Sequence, residues 1–170
     1  DDHLLREQVR LLYDHALLSQ LVAVLNAGIL VYILWPMVGQ ASLLAWLACM
    51  AALSALRLQQ ARAFARAMPA PQQACRWRNR FLAGAAASGL LWGAAGLFLF
   101  PDQSLPHQVF VSFVVAGMIA GAVGTLSPLI LAFALFTVPA LLPLVLQYLL
   151  QAGELGFSMS FMAALYGLAM

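Results

Sequence analysis

The chain has 170 residues, of which 64% are hydrophobic and 8% charged. A soluble domain of this size carries about 25% charged side chains to cover its surface, so a soluble globular fold is excluded and an all-α, polytopic membrane helix bundle is expected. The net charge of +2, with arginine as the sole basic residue besides histidine, is too small for nucleic-acid binding, and Cys49 and Cys75 make no disulfide framework.

In residues 1–16, Leu5, Val9, Leu12 and Ala16 recur at spacings of three and four, while Arg6, Glu7, Arg10 and Asp14 take the other face. This predicts a cytoplasmic amphipathic helix, either lying along the interface or extending the first span. Residues 15–56 then carry no Asp, Glu or Arg. As helix they would reach about 63 Å, twice a hydrocarbon core of about 30 Å, so they form two spans. Trp35-Pro36 and Gly39-Gln40 mark the turn between them, placing the spans near 17–35 and 41–56. A third span is expected at 81–100. The uncharged stretch 103–153 holds a fourth at 108–125 and a fifth at 129–150, separated at Ser127-Pro128. The apolar stretch 156–170 is short of the roughly 20 residues of a full span. It is expected to be a truncated sixth span inside a longer protein whose output domain follows.

The arginines set the orientation. Arg6 and Arg10 precede the first span, and Arg57, Arg62, Arg66, Arg76, Arg78 and Arg80 fall between spans two and three. The positive-inside rule places the N-terminus and the 57–80 segment in the cytoplasm. The six arginines of that segment serve either as topology determinants or as contacts to anionic headgroups. Only short connections are left on the outer side, with no room for an extracytoplasmic binding domain.

Within the spans, Gly89 and Gly93 in the third and Gly117 and Gly121 in the fourth have the GxxxG spacing that lets helix backbones approach closely in lipid. They serve either dimerisation or, as the reading preferred for consecutive helices, packing of span three on span four. Asn26 is expected to hydrogen-bond another helix. Pro139 and Pro143, beside Thr137, bend the fifth span and free backbone carbonyls. No charged residue falls inside any expected span, which argues against an ion-coupled transporter. His3, His15 and His107 are far apart in sequence, so no metal or other cofactor is expected. Asp102 and His107 lack a nucleophile beside them, and no catalytic residue is assigned.

The cytoplasmic lead Arg6-Glu7-Gln8-Val9-Arg10-Leu11-Leu12-Tyr13 and the third span's Ser88-Gly89-Leu90-Leu91-Trp92-Gly93, ending at Phe100-Pro101, form a recognisable pattern. So does Ala116-Gly117-Met118-Ile119-Ala120-Gly121-Ala122 ahead of Ser127-Pro128. Together they resemble the N-terminal multi-span membrane sensor regions of bacterial signalling proteins. These precede histidine kinase modules, including sensors of diffusible signal factor (a cis-2-unsaturated fatty acid), or cyclic di-GMP cyclases and phosphodiesterases. The resemblance implies a non-enzymatic sensory input domain in the inner membrane, dimeric through the full-length protein. Its expected partners are membrane lipid and a fatty-acid-like ligand. A pocket is expected from Ser112, Thr125, Ser127, Thr137 and Pro139, with Trp92 packed beside it. The competing readings are a membrane input domain or passive anchor of a cyclic di-GMP cyclase or phosphodiesterase, and a small transporter with an uncharged path.

Overall fold

The computed structural model describes residues 10–13, 16–67, 73–101, 103–151 and 154–170. After a helical turn at 10–13, the regular elements among them are six α-helices. These are α1 (Ala16–Leu34), α2 (Gln40–Ala67), α3 (Ala74–Phe98), α4 (Leu105–Leu126), α5 (Ile130–Leu150) and α6 (Glu154–Ala169). Helices α1 to α5 are long and apolar enough to cross a membrane, which suggests a multi-pass membrane protein. Tyr32, Phe113, Ile130 and Leu150 project outward from three of them and are strongly exposed, a surface that suits lipid and not water.

Local chemistry sets the helix ends. At the end of α1 the carbonyl of Leu34 accepts from both Met37 and Val38, each at 3.0 Å, and Pro36 and Gly39 carry the chain through the turn. Helix α4 opens with Pro106 in its first turn, where a missing N–H costs nothing. Ser127 closes α4 by donating its N–H to Val123, and Pro128 prevents continuation into α5.

Helices α2 and α3 extend beyond the expected spans 41–56 and 81–100: α2 runs through Arg57, Arg62 and Arg66 to Ala67, and α3 starts at Ala74. Alanine, glutamine and arginine are strong helix formers, so loss of hydropathy at residue 57 ends the apolar segment without ending the helix. Residues 68–72, where Pro69 and Pro71 stand, and most of the expected amphipathic helix, residues 1–9 and 14–15, lie outside the described residues. Leu12 and Tyr13 are buried against the bundle.

The contacts arrange α1, α2, α3, α5 and α4 in a ring, in that order, with α6 against the outside of α5. Helix α3 is the most enclosed: 50% of its most apolar window is buried, against 22–33% for the other four. Its main partner is α5, which runs parallel to it. This corrects the expected pairing of spans three and four, since α3 and α4 make little contact. A Cβ on Gly89 would collide with the backbone of Phe136, and one on Gly93 with the carbonyl of Pro139. Gly96 lies against Leu144 farther along the same seam. Pro143 has no N–H to offer the Pro139 carbonyl, which instead lies against side-chain-free Gly93, the kind of approach that Cα–H···O contacts use. A Cβ on Gly117 or Gly121 would meet nothing within 4 Å, so neither marks a close helix approach.

Polar contacts pin the remaining neighbours. Trp46 Nε1 donates to the Leu91 carbonyl at 2.7 Å, joining α2 to α3. Tyr166 donates to Ala116 at 2.7 Å and Ser160 to Val145 at 3.2 Å, fixing α6 to α4 and α5. Asn26 donates to the Met118 sulfur at 3.3 Å, linking α1 to α4.

Candidate functional site

The ring of helices leaves an open space inside it. A cavity of about 220 Å³ lies between α1, α2, α3 and α4, in the half of the bundle that holds residues 12–23 and Arg57. Its walls are Gln20 and Ala23 of α1, Met50 of α2, Ser88 and Trp92 of α3, and Met118 and Ala122 of α4, with Phe136 of α5 behind. Leu12 and Phe81 line the end nearest the N-terminus. For scale, an apolar cavity of about 150 Å³ is enough to bind benzene.

Gly117 and Gly121 line the cavity and are exposed, and a Cβ on either would meet only open space within 4 Å. Leu18 and Val22 of α1 line the same side while being 65% and 45% exposed, so the cavity opens laterally along the α1–α4 seam.

Among the described residues, the one charged group in its lining is Arg57. Its Nη1 donates to Ser88 Oγ at 3.1 Å, and Ser88 donates onward to the Gly84 carbonyl at 2.9 Å. The guanidinium carbon sits 5.2 Å from the centre of the Phe81 ring. Gly84 makes the geometry possible, because a Cβ there would stand 3.3 Å from Arg57 Nε. No carboxylate among the described side chains pairs with Arg57; every Asp and Glu of the chain falls outside them. A guanidinium offers five N–H donors in a fork shaped for a carboxylate, and a single serine hydroxyl does not match that capacity.

Below Phe81 an aromatic cluster joins three segments. Tyr13 stacks on Phe64 at 4.5 Å and meets the edges of Phe81 at 5.3 Å and Trp77 at 6.0 Å. Its hydroxyl donates to the Trp77 carbonyl at 3.3 Å. Arg80 covers Trp77 at 5.1 Å. The cavity floor is thus physically continuous with the helical turn at 10–13 and with the far end of α2.

Among the residues expected to form a pocket, the cavity gathers Trp92 and Thr125. Trp92 packs its edge on Trp46 at 5.5 Å. Thr125 turns its hydroxyl back to its own helix, at 3.5 Å from Gly121 O and 3.4 Å from Ala122 O. The other four lie elsewhere. Ser112 donates to Gln108 O at 2.9 Å and lies 2.6 Å from the Tyr148 hydroxyl, in a network at the opposite end of the bundle. Ser127 is an exposed C-cap, Pro139 is engaged with Gly93, and Thr137 is buried with Oγ1 unpartnered. His107 lies 2.6 Å from Ser104 Oγ, while Asp102 is outside the described residues.

Arg57 was not among the expected site residues, because it read as part of a cytoplasmic loop. The pattern that finds it is the Gly84–Ser88 pair, one turn apart on α3, which supplies space and an acceptor on one face. Comparison with protein-family models, curated proteins and solved structures finds no match.

Proposed function

We propose that this bundle is the transmembrane sensory input domain of a bacterial signal-transduction receptor of the histidine kinase type. In this reading it sits in the inner membrane with its N-terminus cytoplasmic and responds to a lipophilic, fatty-acid-like signal dissolved in the bilayer. The observation that carries it is the cavity of about 220 Å³ opening sideways between α1 and α4, where a lipophilic molecule has access from lipid. The uneven packing around it supplies a mechanical basis. Helices α3 and α5 meet along a tight glycine seam, whereas α1 and α4 touch sparsely around Asn26 and Met118. A ligand wedged at the α1–α4 seam shifts the equilibrium only to the extent that it prefers one spacing of these helices, about 5.5 kcal/mol for a complete switch. The aromatic cluster around Tyr13 then connects the cavity floor to the cytoplasmic ends of α2 and α3.

The test is a chimera in which the bundle drives a histidine kinase core, assayed for autophosphorylation in vesicles with and without dodecanoic acid. Ligand-dependent activity is expected. Equal activity in both conditions, or full regulation retained when an unrelated six-span anchor replaces the bundle, would rule the sensory role out.

A further inference from the structure

We infer that Arg57 is the headgroup-binding residue of this cavity, and that its ligand is a single-chain amphiphile ending in a carboxylate, which enters tail-first or sideways through the gap at Gly117 and Gly121. The inference rests on the sensory reading for its biological meaning, but on the geometry alone for its chemistry. A half-buried cation at the end of an apolar cavity, in contact with one neutral hydroxyl and one ring face, has no counter-charge among the described residues. Removing two charges from water separately is costly, and bringing a carboxylate to this fork lets each neutralise the other through charge-assisted hydrogen bonds. Ser88 is fixed by its bond to Gly84 O, so it holds the guanidinium in place.

The size and shape select the rest of the molecule. A volume of about 220 Å³, extending from Arg57 past Ser88 to Met50 and Trp92, receives one slender chain. Drug-sized ligands occupy about 300–1,000 Å³, and a two-chain phospholipid needs still more room. The walls beyond Ser88 are apolar, as an alkyl tail requires. The mouth lies in the half of the bundle nearest Arg57, so under the cytoplasmic orientation of the N-terminus the ligand comes from the inner leaflet.

The experiment uses the protein in phosphatidylcholine nanodiscs with a diazirine-bearing dodecanoic acid as photoprobe, its methyl ester as the uncharged control, and mass spectrometry to map the labelled peptides. The acid is expected to label the α1 and α4 lining segments at least about tenfold more efficiently than the ester, and unlabelled dodecanoic acid to compete. Arg57→Gln is expected to lower labelling by about tenfold or more, with Arg57→Lys retaining part of it. Because Arg57→Gln could impair folding, Gly117→Leu provides a second variant. A Cβ there meets nothing within 4 Å, so it is expected to fold normally, narrow the mouth and reduce labelling. Equal labelling by acid and ester, unchanged labelling in a folded Arg57→Gln protein, or displacement by phosphatidylglycerol but not by dodecanoic acid would overturn the assignment. Carboxylate-dependent labelling without a change in the chimera's kinase activity would uphold the site and remove the sensory role. Regulation that survives Arg57→Gln with labelling undiminished would do the reverse.

Discussion

Thr137 is buried on α5 with its hydroxyl unpartnered, and an unmatched buried hydroxyl costs about 1–3 kcal/mol. Valine has nearly the same shape without the polar atom. Thr137→Val is therefore expected to stabilise the bundle by about 1 kcal/mol, read as a higher midpoint in detergent-denaturation curves. A lower midpoint would show that the hydroxyl is needed and that it finds a partner in the folded bundle. Ser112 and Ser88 behave differently, since each already engages a carbonyl one turn earlier and a side chain of another helix. In the sequence these hydroxyls look alike, as small polar groups inside apolar spans. Whether one lines a cavity, closes a network or stands alone depends on which helix faces it, and that information is not local.

Glycine spacing shows the same limit at the level of helices. Gly89–Gly93 and Gly117–Gly121 are identical as motifs, yet the first pair forms the α3–α5 seam and the second borders an opening. Gly93→Ala is expected to destabilise by about 1–3 kcal/mol, because the new methyl group collides with a backbone carbonyl that cannot rotate away. Gly121→Ala should be neutral or slightly stabilising, since alanine is the better helix former and the space is empty. Parallel unfolding curves of the two variants distinguish the roles; equal losses would mean that both glycines are packed. The existence and approximate bounds of the helices were legible because uncharged runs must match the hydrocarbon thickness, and Trp35-Pro36 and Ser127-Pro128 punctuate them. The partner of each helix was not, because a small-residue stripe states that something approaches closely without stating what. Arg57 was missed as a site residue for a related reason: charge ends an apolar run, but helix propensity carries α2 onward and sets this arginine beside Gly84 and Ser88.

The whole bundle can be oriented with its own two thiols. Cys49 lies on the exposed face of α2 in its apolar part, whereas Cys75 is exposed at the start of α3 among Arg76, Arg78 and Arg80. Under the proposed topology a membrane-impermeant maleimide should label Cys75 in inside-out vesicles and not in intact spheroplasts, while Cys49, facing lipid, should stay unlabelled in both. Labelling of Cys75 from outside would invert the topology and move the cavity mouth to the other leaflet. The parallel α3–α5 seam has a further consequence for biosynthesis. Its two helices are separated in the chain by α4, so the seam cannot close while the ribosome is still delivering α5. Until then Gly89, Gly93 and Gly96 lack the helix that covers them in the finished fold. That uncovered strip distinguishes an unfinished bundle from a finished one, and any quality-control protease or insertase that recognises unpacked small-residue helix faces can bind it only before α5 arrives.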